Sequence, residues 1–144
     1  MLISDILRHK PADAQVVTIA PTASITDLLA QLAQHKIGAL VVMDGATVAG
    51  IVSERDVVRR LHDRGADVLR ASVADIMTSP VVSCAPADSV DAVANTMTER
   101  RFRHMPVLET GDRLVGIVSI GDVVSHRMRE LEQDREHLEQ YISG

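Results

Sequence analysis

The sequence predicts an α/β (α+β) fold in which two copies of a β-α-β-β-α unit pack sheet to sheet with pseudo-twofold symmetry. Three observations indicate this fold class. The sequence repeats at a spacing of 65 to 66 residues, and each copy alternates extended and helical patterns. The chain of 144 residues is also short enough for both copies to form a single domain. Because a unit of roughly 50 residues is marginal alone, we expect the two units to bury their apolar sheet faces together.

The repeat is clearest at two places in each copy. Val16–Pro21 aligns with Val81–Pro86, and the apolar positions that follow keep helical spacing in both copies. With one extra residue in a turn of the second copy, Gly50–Val58 aligns with Gly116–Val124, and seven of these nine positions are identical. A repeat of this kind indicates two supersecondary units that need each other to complete a core.

Each copy predicts the same order of elements. An extended segment that ends at a proline leads into a helix, whose N-cap candidates are Thr22 or Ser24 and, in the second copy, Asp88 or Ser89. Two strands with a turn of Asp and Gly between them follow, and a second helix opens at a Ser-x-x-Asp step. The first helices end near Gln34 and Glu99, and the strands are Ala39–Met43, Val48–Val52, His104–Leu108 and Leu114–Val118.

Three segments make up the predicted chain. Residues 1–75 form the first repeat with the N-terminal segment and a linker helix, residues 76–126 form the second repeat, and residues 127–144 form a charged helix. The helical stretch from Val123 to Ile142, which begins just before this segment, carries a stripe of apolar residues. The stripe predicts either a short coiled coil across a dimer or a cover over the protein's own sheet. The stripe consists of Val124, Met128, Leu131, Leu138 and Ile142, and Arg135 interrupts it.

Composition and charge exclude several classes of protein. A net charge of -5 argues against a general nucleic-acid binder, and only two aromatic residues, Phe102 and Tyr141, are present to stack on bases. One cysteine, Cys84, excludes an internal disulfide, and the six histidines lack metal-ligand spacing. The apolar runs are too short for a membrane span and the N-terminus lacks a secretory pattern, so we expect a cytoplasmic protein.

The motifs of the chain together resemble the cystathionine-β-synthase domain (CBS domain) family, in the tandem arrangement called a Bateman module. They are Asp75–Thr78, the strand Arg103–Val107, and the two copies of Gly-Ile-Val-Ser-x-x-Asp at Gly50–Asp56 and Gly116–Asp122. The resemblance covers nearly all of residues 1 to 125. It implies a stand-alone CBS domain pair of bacterial type that binds an adenosine nucleotide between its two units.

The resemblance also implies which residues hold the nucleotide. A serine at a strand end and the Asp three residues later contact ribose and phosphate in this family, which maps onto Ser53 with Asp56 and Ser119 with Asp122. Residues before the first helix and along the second strand surround the adenine, largely through their backbone. These positions are Thr18, Ile19, Ala20, Ile37, Gly38, Ala39 and Leu40 in the first unit, and Ser83, Cys84, Ala85, Phe102, Arg103, His104, Met105 and Pro106 in the second.

The Ser-x-x-Asp motifs admit two interpretations. A carboxylate can accept hydrogen bonds from both hydroxyls of a ribose, and a helix N-terminus offers free N–H groups to phosphate. The same spacing is also that of a capping box, in which serine and acid only close the start of a helix. The residues alone leave both interpretations open, and the resemblance favours ligand contact by at least one copy.

The two copies are chemically unequal. Arg103 stands where the first copy has Gly38, and Arg55 stands where the second copy has Gly121, which we include in the candidate site. We predict that Arg55 and Arg103 face phosphates across the cleft, because guanidinium matches phosphate oxygens in a two-point fork. The alternative for each is a solvated surface charge, which is also how we interpret the other arginines around them.

The predicted function is that of a regulatory sensor of an adenosine nucleotide that acts on an unidentified protein partner in trans. AMP is the leading ligand, followed by NAD, ADP and ATP, and we expect a homodimer with neither a catalytic residue nor a metal. We predict no enzyme, because no nucleophile, metal spacing or phosphate-binding glycine loop accompanies the carboxylates. The alternatives are a ligand-free dimer scaffold, a nucleic-acid binder that uses the arginines of residues 55–70, and an enzyme acting on nucleotides.

Overall fold

A computed structural model describes residues 1–11 and 16–143, and its first unit is a three-stranded sheet flanked by helices. Strand β1 (Thr18–Ile19) runs parallel to β2 (Ala39–Asp44), which pairs with the antiparallel strand β3 (Thr47–Ser53). Helix α2 (Ile25–His35) lies between β1 and β2 along the chain, and α3 (Glu54–Arg64) follows β3 directly. The predicted ends of α2, β2 and β3 are correct to within one residue.

The second unit repeats this architecture with a shorter first strand. Helix α5 (Val90–Arg100) leads to the antiparallel pair β4 (His104–Glu109) and β5 (Arg113–Ser119). A single parallel bridge between Cys84 and Val107 takes the place of β1. Both antiparallel pairs shift register at the equivalent point, between Val42 and Met43 and between Val107 and Leu108. The two units therefore share even this irregularity of their sheets.

The first helix of each unit begins and ends in the same way. Ser24 and Ser89 are the N-caps, and each side-chain oxygen accepts a backbone N–H at the third helical residue, at 3.0 Å in both helices. Lys36 and Arg101 end the two helices in the left-handed conformation, with φ of 54° and 59°. This reversal places a basic side chain just before β2 and just before β4.

The N-terminal helix α1 (Ile3–His9) packs into the second unit. Ile3 and Ile6 are buried in the core of that unit, and the backbone N–H of Ile3 donates to the carbonyl oxygen of Asp88 at 2.9 Å. The N-terminal segment, predicted as part of the first repeat, thus precedes that repeat along the chain and packs into the core of the second unit. The repeat pattern follows the chain, whereas the sheet that receives the helix is set by tertiary packing.

The linker after α3 packs in the opposite sense to α1, because its last helix is buried in the first unit. After α3 the chain forms a 3-10 helix (Gly65–Arg70) and then the short helix α4 (Val73–Ile76). Helix α4 buries its apolar side chains in the core of the first unit, and the N–H of Val73 donates to the carbonyl oxygen of Ala23 at 2.9 Å. Each unit thus holds a short helix that arrives just before the other unit begins.

The sheets are buried on both faces. Leu40 and Val42 point into the first core, while Ala39 and Val41 of the same strand are buried on the opposite face. Pro106 is likewise buried in β4. Burial of both faces is expected where two sheets pack against each other, and it agrees with the predicted pairing of the units.

Helix α6 (Ile120–Ser143) continues without a break from the second unit into the predicted C-terminal helix. Only Val123 and His126 of this helix are buried, and the stripe residues are exposed, from Val124 at 52% to Ile142 at 83%. The alternative in which the stripe covers the protein's own sheet is therefore not observed. Gly144 of the predicted segment lies outside the described residues, and within those residues no helix is long and apolar enough to cross a membrane.

Because Ile6 lies in the second core, the change Ile6→Ala should lower the free energy of unfolding by about 2–4 kcal/mol through lost burial and a cavity. Urea unfolding followed by circular dichroism measures this. Leu29→Ala, on the exposed side of α2, is the control and should cost less than about 1 kcal/mol. Equal small losses in both variants would show that α1 does not belong to the core.

Cys84 should be unreactive in the folded protein. Burial, and secondly the nearby Asp88, raise the pKa of its thiol to about 12, and the thiol lies in the second core. The reactive thiolate is therefore scarce at pH 8, and we expect a disulfide reagent to react more than about 100-fold slower than with free cysteine. The same reagent in strong denaturant is the control, and fast reaction without denaturant would contradict the packing.

Candidate functional site

Two clefts lie at the junction of the two units. The first cleft, about 760 Å³, contains Ser53 and Asp56, and the second cleft, about 690 Å³, contains Ser119 and Asp122. Both volumes fall in the range of small-molecule sites. Each cleft combines the Ser-x-x-Asp motif of one unit with the segment that leads into the other unit, so neither cleft exists without the pair.

In the first cleft, Asp56 is held in place by Ser53. The N–H of Ser53 donates to Oδ2 of Asp56 at 2.8 Å, and the Ser53 hydroxyl lies 3.1 Å from the same oxygen. In return the N–H of Asp56 donates to the Ser53 hydroxyl oxygen at 3.3 Å. This is a complete capping box at the start of α3.

The second cleft repeats the arrangement. The N–H of Ser119 donates to Oδ2 of Asp122 at 2.9 Å, and the N–H of Asp122 donates to the Ser119 hydroxyl oxygen at 3.1 Å. Within the described residues, no hydrogen bond uses Oδ1 of Asp56 or of Asp122. Capping therefore leaves one oxygen of each carboxylate for a ligand hydroxyl, and the two interpretations of the motif are compatible.

The first cleft is rich in arginine. Arg55 and Arg103, the two predicted phosphate contacts, both line it, and Nη1 of Arg55 donates to the carbonyl oxygen of Arg101 in the other unit at 3.5 Å. Five arginines stand against the carboxylates of Glu54 and Asp56, so the cleft attracts anions although the whole chain is acidic. The five are Arg55, Arg59, Arg100, Arg101 and Arg103.

His104 forms a wall between the two clefts. It lines both of them, together with Gly38 and Ala39. Burial lowers the pKa of the imidazole, and the neighbouring carboxylates of Asp122 and Glu54 oppose this effect only in part. A Cβ added at Gly38 would lie 3.3 Å from Cε1 of His104, so only a small residue fits opposite the ring.

Only some of the predicted site residues line the clefts. Of the positions predicted to surround the adenine, Ile37, Gly38, Ala39, Phe102, Arg103 and His104 do so. The other predicted positions are absent from the linings of both clefts within the part of the chain that the structure describes. They are Thr18, Ile19, Ala20, Leu40, Ser83, Cys84, Ala85, Met105, Pro106 and Gly121.

These exclusions have physical causes. Leu40 and Met105 follow the lining residues on the alternate face of their strands and are buried in the two cores. Thr18 and Ile19 pair with β2, and Cys84 pairs with Val107 and is buried in the second core. The segments that do reach the clefts lie slightly earlier in the chain: Val16 and Val17 in the second cleft, and Thr78, Pro80 and Val82 in the first.

Several lining residues escaped the sequence analysis. Three arginines that the sequence suggests are solvated surface charges also line the first cleft. They are Arg59, Arg100 and Arg101. Lys10 and Lys36 line the second cleft. The internal repeat offers a signal for one of them, since Lys36 occupies the position equivalent to Arg101 at the left-handed end of the first helix.

Comparison with known proteins gives the same architecture. The chain is similar to the CBS-domain protein ATU1752 from Agrobacterium tumefaciens, with 44% identity, coverage of 88% of this chain and 99% of that one, and a TM-score of 0.82. It is also similar to the CBS domain pair of MJ0100 solved with 5'-methylthioadenosine and S-adenosyl-L-methionine, with 27% identity, coverage of 90% and 98%, and a TM-score of 0.78. For CBSX2 solved with AMP, the identity is 25%, the coverage 89% and 96%, and the TM-score 0.74.

The family profile of the CBS domain matches twice, over residues 3–63 and 73–129. The two matches coincide with the two repeats, and together they cover most of the chain. The two core sheets, the exchanged short helices and the two clefts between the units agree with that assignment. The chain therefore belongs to the CBS domain family and is a tandem pair of CBS domains.

Proposed function

We propose that this chain is a regulatory module that binds an adenosine nucleotide in the first cleft, with AMP as the leading ligand, and signals to a partner protein in trans. The observation that carries the proposal is the setting of Asp56. Asp56, whose Oδ1 makes no hydrogen bond among the described residues, lines a cleft whose remaining charges are five arginines and Glu54. A carboxylate for the ribose hydroxyls beside guanidinium groups for phosphate suits a nucleotide better than a neutral or cationic ligand.

The ligand class is supported by similar proteins. MJ0100 was solved with two adenosine-containing ligands and CBSX2 with AMP. Among such ligands, arginines favour those with phosphate over S-adenosylmethionine, because guanidinium gains most from an anionic partner. NAD, ADP and ATP follow AMP as candidates, since an open cleft of about 760 Å³ leaves room beyond one phosphate.

The first cleft is the better phosphate site of the two. Arg55 and Arg103 both line it, whereas the equivalent positions of the other copy are Gly121 and Gly38. The repeat therefore places two additional guanidinium groups in one cleft only. The family and this arrangement favour binding and regulation over turnover, so we propose a sensor and not an enzyme.

Arg55→Ala and Arg103→Ala should each weaken AMP binding by about tenfold or more, because each removes a charge-assisted contact to phosphate. Isothermal titration calorimetry measures the affinity, and thermal unfolding with AMP, ADP, ATP, NAD and S-adenosylmethionine ranks the ligands. Arg70→Ala, in the 3-10 helix and outside both clefts, is the matched control and should bind as the wild type does.

Other results would favour other functions. Stabilisation by no nucleotide would favour the ligand-free scaffold, and equal affinity in all three arginine variants would place the phosphate elsewhere. Salt-dependent binding of RNA or DNA that these arginine changes weaken would favour a nucleic-acid binder. Arginine variants are preferred to Asp56→Ala for this test, because Asp56 also caps α3 and its loss lowers the stability of the helix.

We further propose that α6 joins two copies of the chain. Val124, Leu131 and Leu138 are spaced by seven, and so are Met128, Arg135 and Ile142, so all six fall on the a and d positions of one heptad pattern. The five apolar members are exposed in the single chain. Arg135 is the one charged member, and its Nε donates to Oε1 of Glu139 at 3.1 Å.

Leu131→Glu together with Leu138→Glu should convert the dimer to monomer, because two apolar contacts of the stripe become charged. Sedimentation velocity over a range of protein concentrations measures the change. His137→Glu, next to the stripe on the same helix, is the control and should leave the dimer intact. Arg135→Leu should tighten the association by removing the charge from the stripe, and a dimer unaffected by all three changes would exclude this interface.

A further inference from the structure

Lys10 forms an ion pair with Asp122, the carboxylate of the second cleft. Its Nζ lies 3.0 Å from Oδ2 of Asp122 and donates to the carbonyl oxygen of Ile117 at 2.6 Å. The side chains of Lys10 and Asp122 are 28% and 27% exposed, so the ion pair is mostly withdrawn from water. An ion pair in this setting is screened less than a surface pair.

The first cleft has no equivalent of this lysine. Leu7 packs over Gly116 and Met77 packs over Gly50, where an added Cβ would lie 2.8 Å from Leu7 Cδ2 and 2.9 Å from Met77 Sδ. Leu7 and Met77 are therefore equivalent positions of the two short segments, α1 and α4 with the residues after them, that pack into the other unit. The residue three places after Leu7 is Lys10, and the residue three places after Met77 is Pro80.

A carboxylate that already pairs with an ammonium group is a poorer acceptor for ribose hydroxyls. Lys10 supplies a charged donor at Oδ2 of Asp122, and the Ser119 N–H supplies a second donor at the same oxygen. In the first cleft, Asp56 has no cation within 4.0 Å among the described residues. A ribose hydroxyl in the second cleft therefore meets a carboxylate whose negative charge Lys10 already balances, whereas in the first cleft no such cation competes for Asp56.

We propose that Lys10 weakens binding of the ribose in the second cleft by neutralising Asp122, so that the chain binds one nucleotide, in the first cleft. The inference rests on the proposed function and goes beyond it, because it assigns the number of bound ligands to one side chain. Lys10 is a specificity-determining residue in this scheme and not a ligand of the nucleotide. If it bound phosphate instead, its removal would weaken binding at the second cleft.

The test is the stoichiometry of AMP binding by isothermal titration calorimetry. Wild type should bind one AMP per chain, and Lys10→Met, which keeps the length of the side chain and removes its charge, should bind two. The gain in affinity at the second cleft should be on the order of tenfold. Lys36→Met makes the same change of charge in the same cleft without releasing Asp122, and should stay at one.

Two double variants assign the sites. Lys10→Met with Asp122→Ala should return to one AMP, and Lys10→Met with Arg55→Ala should retain the new site while the first site weakens. Circular dichroism checks that each variant is folded. One AMP in both wild type and Lys10→Met would overturn the inference and leave the proposed function intact.

Other outcomes separate the two proposals further. Two AMP molecules in wild type and one in Lys10→Met would overturn the inference, because Lys10 would then be a phosphate contact. No AMP binding in any variant, including Lys10→Met with Asp122 released, would overturn both the inference and the proposed choice of ligand.

Discussion

The hydrogen bonds that tie Asp56 and Asp122 to the serine three residues earlier determine the position of everything else in the clefts. They hold each carboxylate at the point where a strand becomes a helix, with Oδ2 facing the backbone. The helix start is thereby closed, and Oδ1 is left without a hydrogen bond among the described residues. One local interaction thus stabilises the fold and presents a polar group to a ligand, which is why the choice between capping and binding is not a real alternative here.

A repeated scaffold makes small differences between the copies decisive. The backbone of the two units agrees even in the register shift of the sheets, so the clefts begin with the same geometry. The two clefts differ in charge, because Arg55 and Arg103 line the first cleft, whereas Lys10 forms an ion pair with the carboxylate of the second. The symmetry of the fold therefore does not imply symmetry of binding, and each cleft has to be judged from its own side chains.

The sequence was sufficient to predict the helices and strands, but not to predict which of them pack against each other. Short-range patterns predicted the limits of the strands, which were correct, and gave two candidates for each N-cap, of which the structure has Ser24 and Ser89. The packing of α1 in the core of the second unit does not follow from the sequence, because periodicity shows which face of a helix is apolar and not which sheet receives it. Among the described residues, Val16 and Val17 line the second cleft, whereas the predicted Thr18 and Ile19 pair with β2 and are absent from both linings.

The continuity of α6 connects the second cleft with the exposed stripe. Asp122 lies in its first turn and Ile142 near its end, about 30 Å away at 1.5 Å per residue. An unbroken helix transmits a tilt of its first turn to its far end, because hydrogen bonds along the axis resist bending. The Lys10–Asp122 pair and the stripe therefore lie on one continuous helix, and the first cleft also contacts its start, because the N–H of Ile120 donates to the carbonyl oxygen of Arg103 at 2.8 Å.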